Sequence, residues 1–204
     1  MTLLKEQELQ AISEAIAEVE RHTDAELVTV LAKQADDYRY IPTLWAAVIA
    51  LLSPAAVWLS GVWLDTLDIL AVQLIIFIVL AVVLRLPFIM FRIIPAKVRF
   101  WRASNLARRQ FLENNLHHTR QECGVLIFVS EAEHYVEILA DRGINQHVSG
   151  EQWQQIVDEF IAQIKQGNTQ QGFIDCINTC GKILAEHAPA TTEKNELPNH
   201  LVVI

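Results

Sequence analysis

The sequence predicts an α/β protein in which a two-helix transmembrane hairpin interrupts a small sheet after its first strand. Three observations predict it. Ile41 to Leu64 are 24 consecutive positions without a formal charge, and Ile69 to Leu84 are 16 more. Before these runs a helix-period segment leads into one short β-rich run. After them come a long basic helix, two further β-rich runs and two amphipathic helices. The expected organisation is a first helix and strand over residues 1–40, the hairpin over 41–91, the rest of the soluble domain over 92–188 and a tail over 189–204.

In chain order, Leu9, Ile12, Ile16 and Val19 recur at helical spacing, which predicts an amphipathic helix from about Leu4 to Arg21. Thr23 and Asp24 break it, and Glu26 to Leu31 reads as a strand. At about 1.5 Å per helical residue, the first uncharged run exceeds a hydrocarbon core of about 30 Å. The second continues past Arg85 through Leu86, Pro87 and Phe88 to Phe91, the long Arg85 stem carrying its charge toward the headgroups. As core helices, two such runs separated only by Asp65 to Asp68 would need a larger soluble body than the remaining chain provides. A cleaved signal peptide is not expected, because about 40 acidic, patterned residues stand where a short basic region belongs.

Lys33 and Arg39 precede the first run, and Arg85, Arg92, Lys97, Arg99 and Arg102 follow the second, while the turn between them is acidic. The positive-inside rule then gives an inner-membrane protein with both termini in the cytoplasm. Pro54 is a site for a kink, and the alanines around it allow close helix contact. No ionisable residue lies deep in either run, which gives ion translocation little support.

Pro95 to Leu116 reads as a long basic helix with Phe100, Ala103, Ala107 and Phe111 on one side. Gly124 to Ser130 and Tyr135 to Ala140 are joined so tightly that they should form an antiparallel hairpin. Ser149 and Gln152 fit a capping box before the helical face of Trp153, Ile156, Val157, Phe160 and Ile164, and Gly167 supplies the stop. A last helix spans about Thr169 to His187. With a crossover between the first two strands, Asp141 belongs at the sheet end that holds Thr23, Asp24 and Glu26. Asp36, Asp37, Glu131 and Glu133 belong at the other end. Leu201 to Ile204 ends the tail as an added edge strand or as an extended peptide for a partner.

A net charge of −8 argues against nucleic acid as a partner, since such affinity comes from basic side chains on phosphates. The basic block is local. Arg92, Lys97, Arg99 and Arg102 lie close enough to the second run to contact anionic lipid headgroups, at about 1 kcal/mol each. The odd number and unspecial spacing of Cys123, Cys176 and Cys180 suggest neither a disulfide framework nor a zinc site. No Cys-x5-Arg loop, Asp-x-Asp motif or glycine-rich phosphate cradle is present. Asp24, Glu26 and Asp141 are the candidate metal ligands, because a hard cation such as calcium needs several oxygens from converging loops. Asp36 and Asp37 form a second, linker-like pair. Ser130 and His134 suit a hairpin turn as well as a catalytic pair, and His117 with His118 suits the end of a helix.

Thr23-Asp24-Ala25-Glu26 opening a strand, Asp36-Asp37-Tyr38 after it, Gly124 to Val129, Val136 to Ile144 and Gly167 followed by Gly172-Phe173 resemble the TPM-domain family. The resemblance implies an α/β/α sandwich around a small mixed sheet, with acidic loops that in some members bind calcium or support acid phosphatase activity. Other members are accessory factors for membrane complexes. Two departures stand out: the inserted hairpin, and Asp141-Arg142-Gly143 where relatives often carry Gly-x-Gly. The function expected is an accessory or interaction module on the lipid bilayer, partnered by another membrane protein or by further copies of itself. The alternative is a metal-assisted, calcium-binding phosphatase.

Overall fold

The computed structural model describes residues 4–119, 121–191 and 201–204. Arg120 and the tail from 192 to 200 lie outside the described residues. The elements in order are α1 (Glu6–Glu20), β1 (Leu27–Ala32), α2 (Tyr40–Leu59), α3 (Thr66–Val83), α4 (Pro87–Ile93), α5 (Ala96–Glu113), a 3-10 turn (Leu116–His118), β2 (Val125–Ser130), β3 (Tyr135–Ala140), α6 (Arg142–Asn145), α7 (Gly150–Lys165), α8 (Thr169–His187) and β4 (Leu201–Val203). They divide into two units, Met1–Ala35 with Phe100–Ile204, and Asp36–Arg99.

The first unit is built on a mixed sheet of order β3-β2-β1-β4. β1 and β2 are parallel, β2 and β3 antiparallel, and β4 lies parallel to β1. Of the two roles the sequence left open for the end of the tail, edge strand or extended peptide, Leu201–Val203 takes the first. Both central strands are buried along their whole length, because helices cover both faces, and this explains their nearly continuous apolar sequence. Leu27, Leu31, Val125, Ile127 and Val129 face a cluster with Ile12 and Ile16 of α1, Ile156 and Phe160 of α7, and Phe173 and Ile177 of α8. Val28, Val30, Leu126 and Phe128 face the other way, onto Ala103, Leu106 and Ala107 of α5. The result is an α/β/α sandwich.

Local signals set several boundaries. The Ser149 hydroxyl accepts from Gln152 N at 3.3 Å while the Gln152 side chain accepts from Ser149 N at 2.9 Å, a complete capping box for α7. Gly167 ends that segment with φ of 84°. α5 stops at Glu113, and left-handed Asn115 then puts His117 and His118 in the 3-10 turn, beyond the helix end where the sequence placed them. Their rings lie 4.2 Å apart.

In the second unit, α2 and α3 pack together, and both are long and apolar enough to cross a membrane. Pro42, Ala46, Ala50 and Ser53 are the buried residues of α2, small side chains at helical spacing that allow close approach. Pro54 has no N–H to give the Ala50 carbonyl, and the Ser53 hydroxyl donates to that carbonyl instead, at 2.7 Å. At the end of the pair, Arg85 Nη2 donates to Thr43 Oγ1 at 3.1 Å. The second run does not continue through Phe91 as one helix. It breaks after Val83, and α4 starts afresh with Pro87 at its first position, because the ring disfavours helical backbone at Leu86, which is extended (ψ of 130°). Tyr38 is left-handed (φ of 51°) and fully buried against Met90 and Ile94, its turn closed by Asp36 Oδ1 accepting from Tyr38 N at 3.3 Å.

α1 meets α8 at Gly181, where a Cβ would stand 2.6 Å from Val19 Cγ2. Gly181→Ala should therefore lower stability by about 1–3 kcal/mol through overpacking. Thermal unfolding followed by circular dichroism measures the loss, and adding Val19→Ala should recover part of it.

Candidate functional site

The strand register brings the start of β1, the start of β2 and the end of β3 to one end of the sheet. Val125 N donates to Glu26 O at 2.8 Å, and Asp141 N donates to Gly124 O at 2.8 Å. Asp24, Glu26 and Asp141 thus share the end that the sequence assigned to them. Two of the three side chains fasten local structure. Both Asp24 oxygens are engaged by Thr191, one by its backbone N at 2.9 Å and one by its hydroxyl at 2.5 Å. Thr23 Oγ1 next door donates to Ala188 O at 2.5 Å, so this pair of residues ties the entry to β1 to the exit of α8. Asp141 Oδ1 accepts from Arg142 N at 2.8 Å as the cap of α6, while its Oδ2 is buried without a hydrogen-bond partner. Glu26 is buried.

Among the described residues, no group of three or more His, Cys, Asp or Glu side chains is placed to hold a metal ion. Gly143 packs under the preceding loop, where a Cβ would meet Gln121 O at 2.3 Å, so the close approach there is of protein backbone.

The carboxylate with the most altered chemistry at this end is Glu20, which sequence reasoning missed. Burial, and then the charge of Glu26, push it up to about 7, and Leu27 N, donating to Oε1 at 3.4 Å, opposes them only in part. Its Oε2 is buried without a hydrogen-bond partner. A signal existed: Glu20 is an acid in the last turn of α1, where the helix dipole disfavours negative charge.

At the opposite end, Glu133 is 1% exposed and accepts from Ala35 N at 3.1 and 3.2 Å and from the Ser130 hydroxyl. The Ser130 proton is committed to Glu133, so Ser130 and His134 do not pair; His134 sits exposed in the turn with φ of 51°. Asp37 pairs with Arg39 at 3.4 Å. All three cysteines are free and buried, and hydrogen bonding with Cys176, then burial, holds the Cys180 thiol well above its usual range. In the basic block, Arg92 lies over the Phe88 ring at 5.2 Å and Arg102 over the Trp101 ring at 5.0 Å. Lys97 is exposed, and Arg99 is half-buried with no hydrogen-bond partner for its Nε.

Residues 98–183 match the family model described as TPM domain. The match runs from α5 into α8 and leaves out α1 and β1, of which β1 joins the same sheet by pairing with β2. No functionally curated protein matches the sequence. Among solved structures, the NMR structure of BA42 protein from the psychrophilic bacterium Bizionia argentinensis sp. nov. is similar in fold, with a TM-score of 0.59 and 22% identity over 98% of this chain and 94% of that one.

The Glu20 environment predicts a pH dependence. A folded-state value near 7 against an ordinary 4.5 means that the folded chain holds a proton the unfolded chain releases. The stabilisation is complete below about 4.5 and is lost as pH rises through 7. Allowing for solvent screening, its size is about 1–2 kcal/mol. Denaturant titrations between pH 5 and 8 should show this decline in the unsubstituted chain and a flatter profile in Glu20→Gln.

Proposed function

We propose that this chain is an integral membrane protein, held by α2 and α3, that presents its TPM domain in the cytoplasm as an accessory module for another membrane component. One observation supports the anchoring above all: α3 buries none of its residues, and large apolar side chains such as Trp58 and Leu67 are each 79% exposed. An apolar surface of this extent is stable where lipid covers it. The charges agree with the orientation, since Arg39, Arg85 and Arg92 flank one end of the helix pair and Asp65 and Asp68 the other. In this reading Arg92, Lys97, Arg99 and Arg102 meet anionic headgroups, the first and last backed by aromatic rings.

The accessory role draws support from what the polar side chains do. Asp24, Asp141, Ser130 and Glu133 each make hydrogen bonds that fasten a turn, a cap or a strand end. A folded body so committed serves as a surface to be bound.

Single cysteines test the arrangement, because the three native thiols are buried. Ser60→Cys should react with an impermeant maleimide in intact cells, and Glu151→Cys only after the membrane is opened. Labelling of Glu151→Cys in intact cells would overturn the orientation. Release of the chain by alkaline carbonate would overturn membrane insertion itself.

A further inference from the structure

Between α2 and α3 runs an apolar groove of about 520 Å³, lined by Ala47, Ala50 and Leu51 on one side and Leu70, Leu74 and Phe77 on the other. One polar side chain opens into it, that of Gln73. At about 1.5 Å per residue, Gln73 lies roughly 10 Å along α3 from Thr66 and 15 Å from Val83, well away from both helix ends. Within α2, the Thr43 hydroxyl bonds Arg39 O and Arg85, and the Ser53 hydroxyl bonds Ala50 O. The Gln73 amide has no hydrogen-bond partner among the described residues, although it offers two donors and an acceptor oxygen.

We infer that the Gln73 groove is a dimer interface that takes α3 of a second copy of this chain. The inference rests on α2 and α3 crossing the bilayer, because only in hydrocarbon does an unpaired amide lack water. Acyl chains cannot supply its hydrogen bonds. A second copy can, because a carboxamide is self-complementary: about a twofold axis, each Gln73 N–H donates to the other's carbonyl oxygen, so the two bonds form together. The neighbouring side chains suit that geometry. Leu70, Leu74 and Phe77 share a face with Gln73 at helical spacing, while Ala47 and Ala50 leave the α2 side of the groove shallow enough for another helix.

The full chain is reconstituted in vesicles of phosphatidylethanolamine and phosphatidylglycerol, and Förster transfer between donor- and acceptor-labelled copies is followed as protein density rises. The unsubstituted chain should show a monomer–dimer transition. Gln73→Leu should raise the dissociation constant about tenfold, equivalent to about 1.4 kcal/mol, while Gln73→Asn, which keeps the amide, should stay close to the unsubstituted value. A chain that remains monomeric at every density, or a Gln73→Leu variant that associates as tightly as the original, overturns the interface. Carbonate extraction of the same vesicles separates the two readings. A chain that washes out overturns insertion and dimer together, whereas one that stays in the lipid without transfer overturns the dimer alone.

Discussion

The parallel pairing of β1 with β2 is the contact on which the rest of the first unit depends. One strand is made before the apolar hairpin and the other after it, and six aligned residue pairs from Leu27–Val125 to Ala32–Ser130 join them. A slip of one residue would exchange the faces of the strand, sending Leu27, Thr29 and Leu31 to the side of α5 and Val28 and Val30 to the side of α1, α7 and α8. Because both faces are covered, neither exchange leaves a tolerable core. The register that satisfies packing is also the one that brings Glu26, Gly124 and Asp141 to a common end.

Polar groups then secure what packing aligns. Glu133 shows why a carboxylate buried at a strand end is a structural part: two backbone contacts from Ala35 and the Ser130 hydroxyl compensate the loss of water, and they fix where the chain leaves β1. Asp24 does the same at the other end through Thr191. Glu20 is less well served: burial beside Glu26 leaves its second oxygen without a donor, and the carboxyl's pKa is pushed up to about 7.

Much of this was legible from residue patterns. β3 and α8 begin and end where the sequence puts them, and Ser149 and Gly167 bound α7 by local chemistry alone. The two ends of the sheet could be populated correctly because strand direction follows from connection length. What stayed hidden depends on contacts between distant residues. Nothing in the spacing of Asp24 announces Thr191, 167 positions away, and the acid that ends α1 marks Glu20 as unusual without announcing Glu26 as its neighbour. The break at Leu86 was readable from Pro87 but was masked by the strength of the apolar run. Gln73 was masked similarly, as an uncharged residue in a stretch counted only for charge.

The hydroxyl of Ser53 has a consequence for α2. Where a peptide N–H would close the helical turn above Ala50, a side chain with its own rotatable bond does so instead. Pro54 therefore removes a main-chain bond from α2 without leaving the Ala50 carbonyl unpaired. Under the membrane-spanning reading proposed above, this substitution of a hydroxyl for an N–H leaves no bare Ala50 carbonyl in hydrocarbon as the bilayer thins or thickens.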